Sequence, residues 1–313
     1  MGSPSRRSDL LVEDLGRRLV GLRDADRPAV VACSGGPDSL ALLILAVGAS
    51  LEPIAVHVDH GLRDGSDAES EVVADVAARF EVPFVAETAH VEAGPNLEAR
   101  ARQARYAALE RTRRARGAPV VLVAHTADDQ AETVLLNLLR GGASAGLGGM
   151  PERRGTLVRP LLGVRRAETE ALCAEVGLVP VRDPTNDDTR LRRNWIRHDV
   201  VPLLSAGAAR DVVPILSRQA ALFRAESEFL DELARASWSP DGTASSVELR
   251  RLPTVLARRA VRLWLGPPPP SLADVERVLA VAGGECRATE VAGGRRVWRS
   301  RGRLHAERGT VTP

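Results

Sequence analysis

Residues 30–40 read Val30-Val31-Ala32-Cys33-Ser34-Gly35-Gly36-Pro37-Asp38-Ser39-Leu40. A short apolar, β-branched run gives way to Ser-Gly-Gly-x-Asp-Ser, and an apolar helical pattern follows. That order predicts a strand, a tight turn and a helix N-terminus, together a ready site for an anion. Gly35 and Gly36 let backbone N–H groups approach phosphate oxygens with no Cβ in the way. The hydroxyls of Ser34 and Ser39 add donors. Asp38 is out of place in a pure anion cradle, because it repels phosphate; it fits if Mg²⁺ sits between the two. The Gly-Lys-Ser/Thr ending of a Walker A loop is absent, and the chain contains no lysine. A glycine-rich turn with no ligand is the plainer reading of the same string.

Outward from this stretch, apolar strands alternate with helical patterns. Residues 9–23 place apolar and charged positions at helical spacing. Strands are expected at 29–33, 54–58, 83–86 and 120–124, and helices at 40–47, 69–80, 96–116 and 127–140. This alternation predicts an α/β fold, a parallel sheet with helices on both faces. Ligands of such sheets bind outside the carboxyl ends of the strands. Residues 34–39, 59–63 and 125–129 all fall at such ends and are predicted to converge on one crevice. After Met150 the pattern changes, with helices expected at 165–176, 191–204, 209–236, 252–265 and 272–281. A polar stretch at 237–246 reads as a linker, and strand-like pieces occur around 295–303. The expected division is a catalytic domain over 1–208, a helical linker over 209–240 and a small α+β domain over 241–313.

Composition sets bounds. A hydrophobic share of 44% in 313 residues supports a real core, and 3% aromatics means that aliphatic packing dominates. The net charge of +2 does not by itself call for nucleic acid, so local arginine clusters must make that case. Cys33, Cys173 and Cys286 form no Cys-x-x-Cys pair and read as reduced thiols of a cytoplasmic protein. No signal peptide is visible, and the longest apolar run, 40–47, is too short to span a bilayer, so no membrane partner is expected.

Four further clusters carry chemistry. Val56-His57-Val58-Asp59-His60-Gly61-Leu62-Arg63 is either a plain strand end or, beside the loop, a place where backbone near Val58 and His60 receives an adenine ring and Arg63 faces phosphate. In His125-Thr126-Ala127-Asp128-Asp129-Gln130-Ala131-Glu132-Thr133, Thr126 and Asp129 have capping-box spacing, and acids suit the first turn of a helix. Three carboxylates exceed what capping needs. Asp128 and Glu132, four apart, share a face that suits an ammonium group or Mg²⁺. The segment Arg140-Gly141-Gly142 through Met150 holds five glycines in eleven residues and reads as a mobile loop or as a lid over substrate. Finally, Asp183-Pro184-Thr185-Asn186 marks a turn before Arg193-Asn194-Trp195-Ile196-Arg197. The two arginines share a face that is either solvated or grips phosphate.

The loop at 34–39 resembles that of the ATP pyrophosphatases, enzymes that split ATP between its α and β phosphates. Taken with His-x-Asp-His-Gly-Leu-Arg at 57–63, Ala-His-x-x-Asp-Asp-Gln-Ala-Glu-Thr at 124–133, Arg-Gly-x₄-Gly-Leu-x-Gly-Met at 140–150, Arg-Pro-Leu-Leu at 159–162 and Asp-x-Thr-Asn through Arg-Asn-x-x-Arg at 183–197, the chain resembles the tRNA(Ile)-lysidine synthase family. The glycine loop and the last motif are the specific ones. Residues 248–305 resemble the family's small domain more loosely. Thr126 and Asp59 depart from the common His and Asn. Family members differ in how far they extend, and this chain is expected to lack a further C-terminal tRNA-binding domain.

The resemblance implies that ATP adenylates C2 of the wobble cytidine of an isoleucine tRNA with a CAU anticodon. The lysine ε-amine then attacks C2, AMP leaves, and codon reading changes from AUG to AUA. Implied binders of ATP are Ser34, Gly35, Gly36, Pro37, Asp38, Ser39, Val58, His60, Arg63 and His125, with Asp38 also holding Mg²⁺. Implied catalytic groups are Asp38, Asp128, Asp129, Glu132 and Arg193, with the carboxylates taking the cationic lysine and one of them accepting its proton. Implied tRNA contacts are Arg140, Gly141, Gly142, Asp183, Asn186, Asn194 and Arg197. A homodimer is compatible with the resemblance. Three rivals stay open: a 2-thiolation enzyme, which typically needs paired cysteines; an ammonia-fed amide synthetase; and a non-catalytic RNA-binding adaptor.

Overall fold

A computed structural model describes residues 6–59, 66–89, 94, 97–181, 184–236, 238, 243–267 and 270–308. The chain divides into two compact units, residues 1–222 and 223–313.

The first unit is built on β1 (Ala29–Ala32), β2 (Pro53–Asp59), β3 (Phe84–Thr88), β4 (Val120–Leu122), β5 (Arg153–Arg154) and β6 (Leu157–Val158). They form one sheet in the order β3-β2-β1-β4-β6-β5, parallel throughout except for the edge strand β5. Side chains alternate across a strand, and the core follows that alternation. Ala29, Val31, Ala55, Val120 and Leu122 face one layer, while Val30, Ile54, Val56, Val121 and Val123 face the other.

The first layer holds α1 (Arg6–Arg17), α2 (Pro37–Gly48), α3 (Ser66–Arg79) and α7 (Arg166–Glu175). Helix α2 is apolar all round after Ser39, and every residue from Ser39 to Ala46 is buried, as such a helix requires. Each of Leu40, Leu42, Leu43 and Leu45 contributes roughly 1.5–3 kcal/mol of burial before the entropy of ordering the chain. The opposite layer is α4 (Leu97–Ala115), which packs Leu109 and Tyr106 on β1, β2 and β4. Helix α5 (Ala127–Leu139) starts at the carboxyl end of β4, followed by the single turn α6 (Ser144–Leu147).

Beyond α7, α8 (Arg192–Trp195), a π-helical segment (Ile196–Val200) and α9 (Val201–Gly207) run on as one helix. Helix α10 (Val213–Arg235) begins in this unit, and its Val213 packs on Ala127 and Ala131 of α5.

The second unit has β7 (Ala244–Ser245), β8 (Ala288–Val291), β9 (Arg295–Ser300) and β10 (Arg303–Arg308) in an antiparallel sheet of order β7-β10-β9-β8. It packs on α11 (Ser246–Arg251), α12 (Thr254–Leu265) and α13 (Leu272–Gly283) around Val261, Val275, Val278, Val297 and Leu304. The helix expected at 252–265 begins instead at Thr254, after Pro253, and the polar stretch expected to link domains contributes β7 to the sheet. No helix among the described residues is long and apolar enough to cross a membrane.

Candidate functional site

The turn between β1 and α2 is held open by its own hydrogen bonds. The Ser34 N–H donates to Ser39 Oγ (3.2 Å), and that hydroxyl donates to the Gly36 carbonyl (2.9 Å). Gly35 has φ +81°, which favours glycine, and a Cβ there would lie 3.1 Å from Val181 Cγ2. Gly36 precedes the helix without a side-chain cap and Pro37 brings no N–H. The first amides of α2 are therefore left to a ligand.

A cleft of about 1060 Å³ opens at this turn, lined by the carboxyl ends of β1, β2 and β4 and by α4, α7 and α8. Two of the polar clusters predicted to converge, 34–39 and 125–129, do so here, and of 59–63 the one described residue, Asp59, lines the cleft with them. Val58 lines the cleft as expected; His60 and Arg63 lie outside the described residues. His57, which the sequence reading passed over, donates from Nδ1 to the Cys33 carbonyl (3.0 Å), so its buried Nε2 faces no protein partner. His125 Nδ1 is likewise buried without a partner. Burial, reinforced by Arg159, Arg102 and Arg193 against the pull of Asp129, drives the His125 ring down to about 3, which keeps it neutral. Orphaned ring nitrogens in a cleft wall, with Val56, Val58 and Val123 beside them, are what a heteroaromatic base with hydrogen-bonding edges would satisfy.

The acidic turn of α5 is built as predicted at its cap. Thr126 and Asp129 form a reciprocal capping box, with the Thr126 N–H donating to Asp129 Oδ2 (2.8 Å). Beyond the cap, arginines take every carboxylate. Glu132, 1% exposed, accepts from Arg193 Nε and Arg197 Nε, both at 2.7 Å. Asp129 Oδ1 accepts from Arg166 Nη2 (3.0 Å) and Arg193 Nη2 (3.2 Å). Burial pushes the Asp129 carboxyl up, but Arg166 and Arg193 outweigh it and hold it below the usual range. Arg166 also reaches Glu132 (3.4 Å) and Asp38 (3.3 Å). Asp38 accepts a further bond from Thr169 Oγ1. Burial raises the Asp38 carboxyl to about 6, with Arg166 and Thr169 pulling against it and Asp129 adding to it.

Asp128 and Glu132 do not act as one face. Asp128 is bidentate with Arg165 (2.9 and 3.0 Å), accepts from the Arg166 N–H (2.8 Å), and does not line the cleft. Arg193 and Arg197 line it, but they are spent on carboxylates rather than left to solvent. Asn194 donates to the Thr185 and Asp188 carbonyls (2.8 and 3.0 Å) and so ties the short helical turn at 184–187 to α8. Backbone at Asn186 lies in that turn, and Asp183 lies outside the described residues.

Arg140, Gly141 and Gly142 do not line the cleft. Their glycine-rich segment is pinned from α5: Gln130 donates to the Met150 carbonyl (2.9 Å) and accepts from its N–H (2.7 Å), and Asn137 donates to the Gly146 carbonyl (2.7 Å).

Arg166 and Thr169 on α7 are not among the residues expected from sequence, and of the arginine-rich helix 100–116, a candidate there for discriminating tRNA, Arg102 and Arg105 are the two that enter the cleft. Arg102 and Arg105 line the cleft and stack their guanidinium groups on Tyr106, at 5.0 and 5.6 Å from its ring. Neither has a carboxylate partner among the described residues, and burial, helped by Arg102, holds Arg105 below its ordinary value against the pull of the Tyr106 hydroxyl. One sequence signal was available for Arg166: a basic residue opening a helix opposes the helix dipole, so its placement calls for a tertiary partner.

Among the described residues no group of three or more His, Cys, Asp and Glu is arranged to hold a metal by itself. Mg²⁺ bound mainly through phosphate and water needs only one or two carboxylates, and Asp38 beside the loop meets that requirement. Cys33 and Cys173 both border the cleft, and burial pushes both thiols up to about 12, so they are protonated and poorly nucleophilic.

A family model described as a PP-loop domain matches residues 11–204, and one described as the TilS substrate binding domain matches residues 246–305. The tRNA(Ile)-lysidine synthase of Rhodococcus erythropolis is 42% identical over 243 residues, 76% of this chain and 74% of its own. That of Salinispora arenicola is 39% identical over 311 residues, 92% of each. A solved structure, the U34-tRNA thiolase of Methanococcus maripaludis, matches with a TM-score of 0.53 at 16% identity over 71% of this chain and 80% of its own, a likeness of fold. On the two matched domains and these identities, the chain is an ATP-utilising PP-loop enzyme and belongs to the tRNA(Ile)-lysidine synthase family.

Proposed function

We propose that this enzyme joins L-lysine to C2 of the wobble cytidine of a CAU-anticodon isoleucine tRNA. The cytidine C2 oxygen attacks the α-phosphorus of ATP and pyrophosphate leaves. The lysine ε-nitrogen then attacks C2 and AMP departs with that oxygen. The observation that carries this reading is the wall where Asp38, Asp129 and Glu132 meet Arg166, Arg193 and Arg197 beside a phosphate-binding turn. Phosphate chemistry and recognition of a cation both need charged groups in one cleft, and here they share it.

In this reading the turn at 34–39 takes the pyrophosphate through backbone N–H groups and the Ser34 and Ser39 hydroxyls. Asp38 would hold Mg²⁺, which supplies neutralisation of the departing pyrophosphate. His57, His125, Val56 and Val58 of β2, and Val123 just after β4 receive the base. Asp129 lines the cleft and, with its carboxyl held ionised, serves as anchor for the lysine ammonium. Arg102 and Arg105, cations without acids among the described residues, take RNA phosphate. Two of the family's motif positions, Asp128 and Asn194, support this wall from behind rather than touching substrate.

The test is mass spectrometry of the CAU-anticodon isoleucine tRNA after incubation with ATP, Mg²⁺ and isotopically labelled lysine. A lysine-sized gain at the wobble cytidine, dependent on ATP and lost in Asp38→Ala, is expected. AMP release with no gain overturns the choice of nucleophile or RNA.

A further inference from the structure

In the structure, one guanidinium group, that of Arg166, is hydrogen-bonded at once to Asp38, Asp129 and Glu132, at 3.3, 3.0 and 3.4 Å. Its backbone is anchored separately, the N–H donating to Asp128 (2.8 Å), while Arg165 holds Asp128 from the other side. The head group can therefore move while its helix stays in place. Within this cluster three carboxylates face three arginines, so the cluster is neutral as it stands, and Glu132 does not reach the cleft surface; Glu170, one turn further along α7, is an exposed acid of the cleft outside the cluster. An alkylammonium group entering this cluster meets no unpaired acid within it. If Arg166 leaves, Asp38, Asp129 and Glu132 remain with Arg193 and Arg197, and the wall is short of one positive charge, the charge an amine carries.

We propose that Arg166 is an internal cation that closes the amine site until a nucleotide binds. Its guanidinium is already bonded to Asp38 of the phosphate-binding turn. A triphosphate seated on that turn offers it a doubly charged, bidentate acceptor close by. Arg166 turns to the phosphate, and the lysine ammonium replaces it on Asp129 and Glu132. The enzyme thus binds ATP first and the amino acid second, and the empty enzyme rejects free amines. Arg166 is a positioning residue for the amine and sets the order of binding. The inference rests on the lysine reading above.

The test is calorimetric titration of L-lysine into the full chain, with and without the non-hydrolysable α,β-methylene analogue of ATP and Mg²⁺. The wild-type enzyme is expected to bind lysine at least tenfold more tightly with the analogue present. By linkage, the analogue gains the same factor from lysine. In Arg166→Gln, lysine binds the nucleotide-free enzyme at least as tightly as it binds the nucleotide-loaded wild type, and the analogue adds less than twofold. A merely structural role predicts weaker lysine binding in that variant, so a gain in affinity separates the two. Arg166→Lys keeps the charge and is expected to keep most of the coupling, which guards against misfolding of the glutamine variant. Lysine binding that is equal with and without the analogue in the wild type, or coupling that survives in Arg166→Gln, overturns the gate and leaves the lysine reading standing. Absence of lysine binding in every form overturns the lysine reading, and the gate with it.

Discussion

The two sides of the cleft treat charge in opposite ways. On the side of α5, α7 and α8, Asp38, Asp129 and Glu132 each have an arginine, and that cluster is neutral before any ligand arrives. On the side of α4, Arg102 and Arg105 lean on Tyr106 with no acid to meet them among the described residues, and elsewhere in the cleft wall His57 and His125 hold bare ring nitrogens. The difference teaches what each side is for. Buried charges in a matched network must be exchanged, partner for partner, because stranding one costs several kcal/mol. Unmatched cations beside unfilled hydrogen-bonding atoms need only be filled. The first wall selects a ligand by swapping charges, and the second takes up an anion and a base directly.

The most damaging way to break this contrast is at the seam between the two sides. Asp38→Asn removes the acid that joins the phosphate-binding turn to Arg166. Release of pyrophosphate in the presence of tRNA is expected to fall by about two to three orders of magnitude, the scale of losing one preorganised charge at a reacting centre. A loss below tenfold would show that the turn works without its acid.

Glu132→Ala attacks the matched wall itself. It takes the nearest acid from Arg193 and Arg197, which are left sharing Asp129 at 3.2 and 3.7 Å and whose side chains keep 37% and 23% exposure. Because both retain access to water, the expected loss is about 3 kcal/mol, the low end for breaking a buried pair, read from chemical denaturation of the first unit. No measurable loss would mean that the wall is held by packing rather than by charge.

Arg102→Gln with Arg105→Gln tests the unmatched side. Affinity for tRNA is expected to fall about tenfold, and the dependence of the binding constant on salt to shallow by about two in slope, one for each lost cation. The same pair of changes should cost the first unit no more than about 1–2 kcal/mol, because among the described residues no acid loses a partner and only the contacts with Tyr106 are lost.

Acidity distinguishes the sides as well. Asp38 is raised to about 6, above its value of 3.8 in an unfolded chain. Between those values the folded form binds the extra proton, so ionising Asp38 lowers stability as pH rises through this window. Activity runs the other way: if the ionised acid is needed, pyrophosphate release climbs with a midpoint near pH 6 and is about tenfold down one unit below it. In Arg166→Gln the midpoint should move up, since the guanidinium is the strongest influence holding Asp38 down.

The two sides also differ in how far they could be read from sequence. The turn at 34–39, the capping box at Thr126 and Asp129, and the meeting of the clusters at 34–39 and 125–129 in one cleft follow from the sequence pattern, and all three are present. Arg166, Arg102 and Arg105 were not singled out. With 43 arginines in the chain, helical periodicity does not say which of them turn into the cleft. Arg193 and Arg197 were placed on one face, yet their partners on α5 lie some sixty residues earlier, beyond any local rule. The strands β5 and β6, two residues each, are too short for a period to show. The second unit's hairpin was visible only in outline.

The smallest expected effect asks whether the matched wall depends on what lies behind it. The glycine-rich segment after α5 was expected to be mobile or to close as a lid, but Gln130, between Asp129 and Glu132 in sequence, clamps its Met150 backbone. Gly149 stands in that clamp with φ +60°, and a Cβ there would lie 2.6 Å from Gln130 Oε1. Gly149→Ala therefore adds both backbone strain and a clash that Gln130, 2% exposed, has little room to relieve. The expected cost is about 1–2 kcal/mol of stability, with pyrophosphate release within about twofold of wild type, because Arg166, Arg193 and Arg197 hold the acids without help from the segment. A drop in activity well beyond the drop in stability would instead make the clamp part of the wall, and the charge network alone would no longer account for the order on that side of the cleft.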